Sequence, residues 1–225
     1  MRLPHLPFVK VCCISSLEEA ELAIACGASA LGLVSEMPSG PGVISDDLIA
    51  EIAAQVPPPV ATFLLTCRQE AEEIIAQHRH CRTSTIQLVD EVPVAQLKRL
   101  RAGLPGIKLV QVIHVTGPES LEEAQVSAPF VDALLLDSGN RSLAVKELGG
   151  TGRTHDWSLS RKIREAAGKP LFLAGGLRPE NIAEAVSSVR PFGIDLCSGV
   201  RTGGRLDPGK LARFFEALGG VDLEA

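Results

Sequence analysis

Short apolar runs rich in β-branched residues and leucine alternate along this chain with charged stretches whose apolar positions recur at helical spacing. The runs fall at 8–12 (FVKVC), 30–34 (ALGLV), 60–65 (VATFLL), 85–89 (TIQLV), 107–115 (IKLVQVIHV), 131–136 (VDALLL), 170–174 (PLFLA) and 192–197 (FGIDLC). Amphipathic segments follow near 17–26, 46–55, 68–79, 93–102, 119–126, 157–167, 179–188 and 208–218. Helix punctuation agrees with these bounds. Ser16 with Glu19 reads as a capping box, Asp207-Pro208 as an N-cap and first-turn proline, and Gly27, Gly103, Gly168 and Gly219 stand at helix ends.

Strands that alternate with helices through short links must run parallel, because each right-handed crossover returns the chain beside its previous strand. Eight such units predict a single-domain α/β chain, a (β/α)8 TIM barrel spanning 1–225 with its core over about 8–218. The competing open sheet would use fewer strands and usually shows G-x-G-x-x-G after the first one. Here the first strand runs into Cys12-Cys13-Ile14-Ser15, which holds no glycine.

Composition removes several function classes. The 225 residues carry a net charge of −5, so bulk attraction to nucleic acid or to an acidic membrane is not expected. No apolar run is long enough for a membrane span, and Pro4 and Pro7 stand where a signal peptide would be helical. The six cysteines show no C-x-x-C spacing, as expected of reduced thiols in a cytoplasmic protein. Seven Phe, one Trp and no Tyr leave few stacking platforms for bases.

Barrels of this type place their chemistry at the C-terminal ends of the strands. Those ends read Cys12, Ser35, Cys67, Gln87, His114, Asp137, Gly175-Gly176 and Ser198-Gly199. Glycine lets backbone N–H groups approach an anion, and Gly152, Gly175, Gly176, Ser198 and Gly199 converge on the corner where such barrels bind phosphate. A single Gly-Gly pair would be only a tight turn; the convergence of three clusters favours a phosphorylated small molecule. Cys12 and Asp137 end strands on opposite sides of the mouth, a spacing suited to proton transfer by a base and an acid. Strand period turns Lys10 inward beneath Cys12, where its charge favours a thiolate. Either residue alone would more often be a buried cysteine or a helix-capping aspartate. A zinc site drawn from Cys12, Cys67, Cys197 and His114 or His155 lacks any local spacing signature, so no metal is expected. His5, His78 and His80 are expected to be solvated, and His155-Asp156-Trp157 to begin a helix.

From Val9 to Phe215 the sequence resembles the phosphoribosylanthranilate isomerase family. Val9-Lys10-Val11-Cys12 is similar to its V-K-I-C, Gly27-Ala28-Ser29-Ala30-Leu31-Gly32 to its G-A-D-x-x-G, and Leu135-Leu136-Asp137-Ser138 to its L-L-D-S. Gly149-Gly150-Thr151-Gly152 with Asp156-Trp157, Leu173-Ala174-Gly175-Gly176-Leu177 and Asp195-Leu196-Cys197-Ser198-Gly199-Val200 match further signatures. The resemblance implies a cofactor-free Amadori rearrangement in tryptophan biosynthesis. Asp137 would be the general acid, Cys12 the general base, and the glycine corner with Ser198 the phosphate site. Lys10, Gln87, His114 and Arg201 are candidate substrate-binding residues, in a monomer or homodimer.

Four departures stand out. Cys13 replaces the family's glycine after the cysteine, and Gly42 takes the place of an arginine that grips the substrate's aromatic carboxylate. Q-L-H-G has become Gln87-Leu88-Val89-Asp90, and S-G-V-E has become Ser198-Gly199-Val200-Arg201. Three readings follow: the family activity with carboxylate recognition rebuilt, the same mechanism on another phosphorylated sugar-amine, or a non-catalytic phosphate-binding barrel. Arg153, His114 and Arg201 are the candidates to replace the missing charge.

Overall fold

The computed structural model describes residues 7–140 and 142–221; residues 1–6, with His5 and most of the proline-bearing start, lie outside them. Eight parallel strands close into a barrel in sequence order: β1 (Phe8–Val11), β2 (Ala30–Val34), β3 (Ala61–Thr66), β4 (Thr85–Leu88), β5 (Lys108–His114), β6 (Ala133–Asp137), β7 (Leu171–Leu173) and β8 (Gly193–Leu196). Closure is made by β1 against β8, with Phe8, Val9, Lys10 and Val11 facing Gly193, Ile194, Asp195 and Leu196. The helices are α1 (Leu17–Ala25), α2 (Asp46–Gln55), α3 (Ala71–Cys81), α4 (Val94–Gly103), α5 (Glu119–Ser127), α6 (Trp157–Ala167), α7 (Ile182–Val189) and α8 (Pro208–Gly219). Every strand and helix read from the hydrophobic pattern is present. No helix among the described residues is long and apolar enough to cross a membrane.

Two apolar layers result from the strand period. Outward residues such as Leu31, Leu64, Ile86, Leu134 and Ile194 pack against the helices. Inward residues, among them Phe63, Val110, Val112, Leu135 and Phe172, fill the barrel. Its N-terminal end is stopped by aromatic rings: Phe172 meets Phe8 edge-on at 5.8 Å and Phe192 at 5.6 Å. Apolar filling below leaves the polar chemistry at the opposite rim.

Helix ends follow the sequence with one change. Ser16 accepts from Glu19 N–H, Asp156 from Ser158 and Leu159 N–H, and Asp207 from Lys210 N–H. The reciprocal arm of the Ser16–Glu19 box is missing, because the Glu19 carboxylate turns instead to Ser15 N–H and to Arg201. His78 is buried, its Nε2 2.7 Å from Thr83 O, which corrects the expectation of a solvated side chain. The turn after α3 runs through Arg82 in the left-handed region at φ 56°, its N–H donating to His78 O at 2.7 Å. His80 is exposed, as expected, and pairs with Asp47 at 2.7 Å.

Phe172→Ala is expected to cost about 3–5 kcal/mol in denaturant unfolding, since it opens a cavity among three rings. Phe192→Ala, at a half-exposed ring, should cost under about 1 kcal/mol.

Candidate active site

The C-terminal mouth of the barrel opens into a cavity lined by Cys12, Cys13, Gln87, Asp137, Asp195 and Cys197, with the glycine loops along one side and Val34, Met37, Leu65 and Leu148 along the other. Cys12 and Asp137 both line it, so the thiol and the carboxylate picked out by strand position share one cavity. Gln87 lines it as well, and its buried Oε1 has no partner among the described residues.

Beneath the thiol lies Lys10, fully buried, with Nζ 2.8 Å from Asp195 Oδ2 and 5.4 Å from the Phe63 ring centroid. Gly32 on β2 makes this layer possible: an added Cβ would come within 2.8 Å of Cys12 Sγ and 2.9 Å of Lys10 Nζ. Burial pulls the Lys10 pKa down, but Asp195 and Cys12 outweigh it and hold the ammonium charged. The Cys12 thiol sits below its ordinary value, first through hydrogen bonding from Cys13 and then, against the cost of burial, through the Lys10 charge. Asp137 goes the other way. Burial pushes its carboxyl above the usual carboxylate range, despite the Ser138 N–H donating to Oδ1 at 2.7 Å. The two groups are therefore displaced in opposite directions, the thiol down and the carboxyl up.

Three loops meet at the anion corner. A Cβ on Gly152 would stand 3.3 Å from Ser198 Oγ, one on Gly176 2.8 Å from Gly152 O, and one on Gly199 2.0 Å from Leu177 O. Gly152, Gly175, Gly176, Ser198 and Gly199 all line the cavity, as the sequence reading expected. Asn181 fixes the loop after β7, donating to Gly176 O at 3.0 Å while accepting from Arg178 N–H at 2.9 Å.

Three proposed substrate contacts fall elsewhere. Lys10 is sealed beneath the cavity and acts on Cys12 from below. His114 packs outside it, with Nε2 2.9 Å from Val89 O and its ring against Gly139. Arg201 turns away into an ion pair with Glu19 at 3.0 Å, and its Nη2 donates to Cys12 O and Cys13 O at 3.1 and 2.5 Å. The reason is burial: a guanidinium this deep needs a carboxylate and carbonyls around it. Arg153 is exposed and pairs with Glu147. Sequence reasoning gave no role to Asp195, although its place beside inward-facing Lys10 on the neighbouring strand was a usable signal.

Two departures from the family pattern prove to be one steric unit. Cys13 holds φ 63°, the left-handed region that favours glycine. A Cβ on Gly42 would meet Cys13 Cβ at 2.5 Å and Cα at 2.8 Å. The side chain gained at 13 occupies the space that a side chain at 42 would need.

A closed eightfold barrel with a thiol, a buried carboxyl and three glycine loops around one cavity at its mouth defines a (β/α)8 barrel whose polar groups gather at the C-terminal ends of its strands. The family model for N-(5'-phosphoribosyl)anthranilate isomerase matches residues 9–217, and the chain belongs to that family. It is 37% identical over 194 residues to N-(5'-phosphoribosyl)anthranilate isomerase 2 of Methanosarcina mazei, covering 86% of this chain and 85% of the relative. The crystal structure of phosphoribosylanthranilate isomerase from Thermotoga maritima superposes with a TM-score of 0.82 at 30% identity, covering 96% of this chain and all of the other. Another solved isomerase, at 28% identity and a TM-score of 0.79, covers 96% of this chain and 100% of its own and holds reduced 1-(o-carboxyphenylamino)-1-deoxyribulose 5-phosphate.

Lys10→Met should raise by about one unit or more the pH at which Cys12 becomes reactive to iodoacetamide, followed by peptide mass spectrometry. An unchanged profile would leave the Cys13 thiol as the sole support of the thiolate. Arg201→Met should cost about 3 kcal/mol in denaturant unfolding, because Glu19 is left buried beside no cation, and Glu19→Gln in the same chain should recover part of it. Burial opposes ionisation of Glu19, yet Arg201 and the N–H groups of Leu206 and Ser15 hold its carboxyl below its ordinary 4.5. That stabilisation is full above pH 4.5 and fades as the pH falls through the lower folded value; Arg201→Met should flatten this acid limb.

Proposed function

We propose that this chain isomerises N-(5'-phosphoribosyl)anthranilate to the corresponding 1-arylamino-1-deoxyribulose 5-phosphate, a step of tryptophan biosynthesis. The observation that carries the reading is that Cys12, Asp137 and the glycine loops line one cavity, with the thiol drawn down by its surroundings and the carboxyl pushed up by burial. Groups split this way serve as base and acid at neutral pH.

Asp137 protonates the furanose ring oxygen while the nitrogen lone pair pushes open the bond to C1, giving a ring-opened protonated imine. The Cys12 thiolate then takes the proton from C2, and the electron pair moves to the nitrogen, leaving an enol-amine. Transfer of a proton to C1 and loss of the C2 hydroxyl proton complete the ketone. Asp137 ends as a carboxylate and Cys12 as a thiol, so exchange with solvent resets both. Backbone N–H groups around Gly152, Gly175, Gly176, Ser198 and Gly199 hold the phosphate, which fixes C1 and C2 against the pair. Gln87 reaches the sugar, and the apolar wall of Val34, Met37, Leu65 and Leu148 accepts the aromatic ring. The groups that act are the chain's own, with no cofactor, in a cytoplasmic monomer or homodimer. The related Thermotoga maritima isomerase is described as dimeric.

A second reading, the same chemistry on a phosphoribosylamine without the carboxylate, is favoured by the closing of position 42 by Cys13. Loss of a charge-assisted contact of that kind costs on the order of 2–5 kcal/mol unless another group takes its place.

The test is turnover of freshly generated phosphoribosylanthranilate, followed by anthranilate fluorescence, beside the N-phosphoribosylaniline analogue. Cys12→Ser and Asp137→Asn should each lose about 10²–10⁴-fold in kcat with the fold retained. Turnover of the aniline compound alone would move the assignment to the second reading. Turnover of neither by folded protein would overturn both.

A further inference from the structure

Cys13 Sγ and Cys197 Sγ lie 3.0 Å apart at the rim of the cavity, and neither is in a disulfide. A disulfide needs about 2.05 Å, so the two atoms must approach by only about 1 Å. The backbone already places them for it. β1 and β8 are paired through Val11 and Leu196, and the ladder runs one bond further, with Cys12 N–H donating to Leu196 O at 2.7 Å. That register sets Cys197 level with Cys12, one residue from Cys13. The Arg201 guanidinium holds the carbonyls of Cys12 and Cys13, so this segment is fixed in place and the bond forms without unfolding.

We propose that Cys13 and Cys197 are a reversible thiol–disulfide site, oxidised by a low-molecular-weight disulfide that enters the substrate cavity. Cys197 is the entry point: it is the less buried of the two, and both line the cavity. The Cys13 thiol is held well above its ordinary pKa, first by its hydrogen bonds to Cys12 and Cys197, so it acts second. The Cys197 thiolate attacks one sulfur of the small disulfide, forming a mixed disulfide and expelling one small thiolate. Cys13 then loses its proton to solvent and attacks Cys197 Sγ, expelling the second. Two electrons pass from the protein thiols to the small disulfide, which leaves as two thiols.

The consequence rests on the proposed function. Cys13 and Cys197 both line the cavity that holds Cys12, so a bond between them reshapes the wall beside the proposed base and turnover falls.

The test is incubation of the full-length protein with oxidised glutathione, followed by intact mass, peptide mapping and rate. The expected product is lighter by two hydrogens, with the Cys13 and Cys197 peptides joined. Its rate should fall severalfold and return with dithiothreitol. Cys197→Ser, compared with its own untreated rate, should keep that rate under the same treatment. Absence of the linkage overturns the proposal. So does equal inactivation of Cys197→Ser, which would place the oxidation on Cys12. Peptide mapping and the pH profile of Cys12 alkylation need no turnover, so they stand even if the proposed substrate fails.

Discussion

A single buried ammonium organises this molecule. Lys10 is fully enclosed inside the barrel, where an unpaired charge could not remain, and Asp195 on the adjacent strand meets it at 2.8 Å. The pairing needs β1 and β8 in register across the closing seam, and it needs Gly32 to leave room. It also divides the chemistry above it. One cation serves Asp195 and draws the Cys12 thiol below its ordinary value, while at Asp137, in the same low-dielectric mouth, burial outweighs the bond from Ser138 and raises the carboxyl. Environment separates the two groups, with the charge supplied once.

The rim is built by a different rule. Three loops interlock so closely at Gly152, Gly176 and Gly199 that a methyl group would strike backbone in two of them. Such proximity is open only to residues without a side chain, and it brings the three loops to the edge of one cavity. Opposite this corner, Cys13 and Gly42 have exchanged bulk. The left-handed backbone at Cys13 persists because Arg201 holds its carbonyl from one side and Cys197 meets its thiol from the other. A residue that would be strained in isolation is over-determined here, and its thiol becomes part of the site.

The glycine loops keep the family's motifs, while the opposite side of the mouth differs from the family pattern in shape and charge. Asp90, new at the end of β4, is buried and takes Lys146 as its partner at 2.5 Å, so the added carboxylate is neutralised within the protein. The Ser39 hydroxyl donates to Lys146 O, tying the loop after β2 to the loop after β6 over the same side of the mouth.

The pattern of apolar runs determined the barrel, its eight units and the polar character of the strand ends, because period and capping are local properties that survive any tertiary context. It also placed Cys12, Asp137 and the glycine corner, since short side chains on a strand end go where the backbone points. The long side chains were not legible. Arg201 found Glu19 from 182 residues away, His114 and His78 turned to backbone carbonyls, and Lys10 took Asp195 instead of substrate. The tip of a long polar side chain is fixed by whichever opposite charge or orphaned carbonyl the fold buries beside it, and only the tertiary structure brings those partners together. The same holds for the thiol of Cys13, which meets Cys197 only because the barrel closes β1 onto β8.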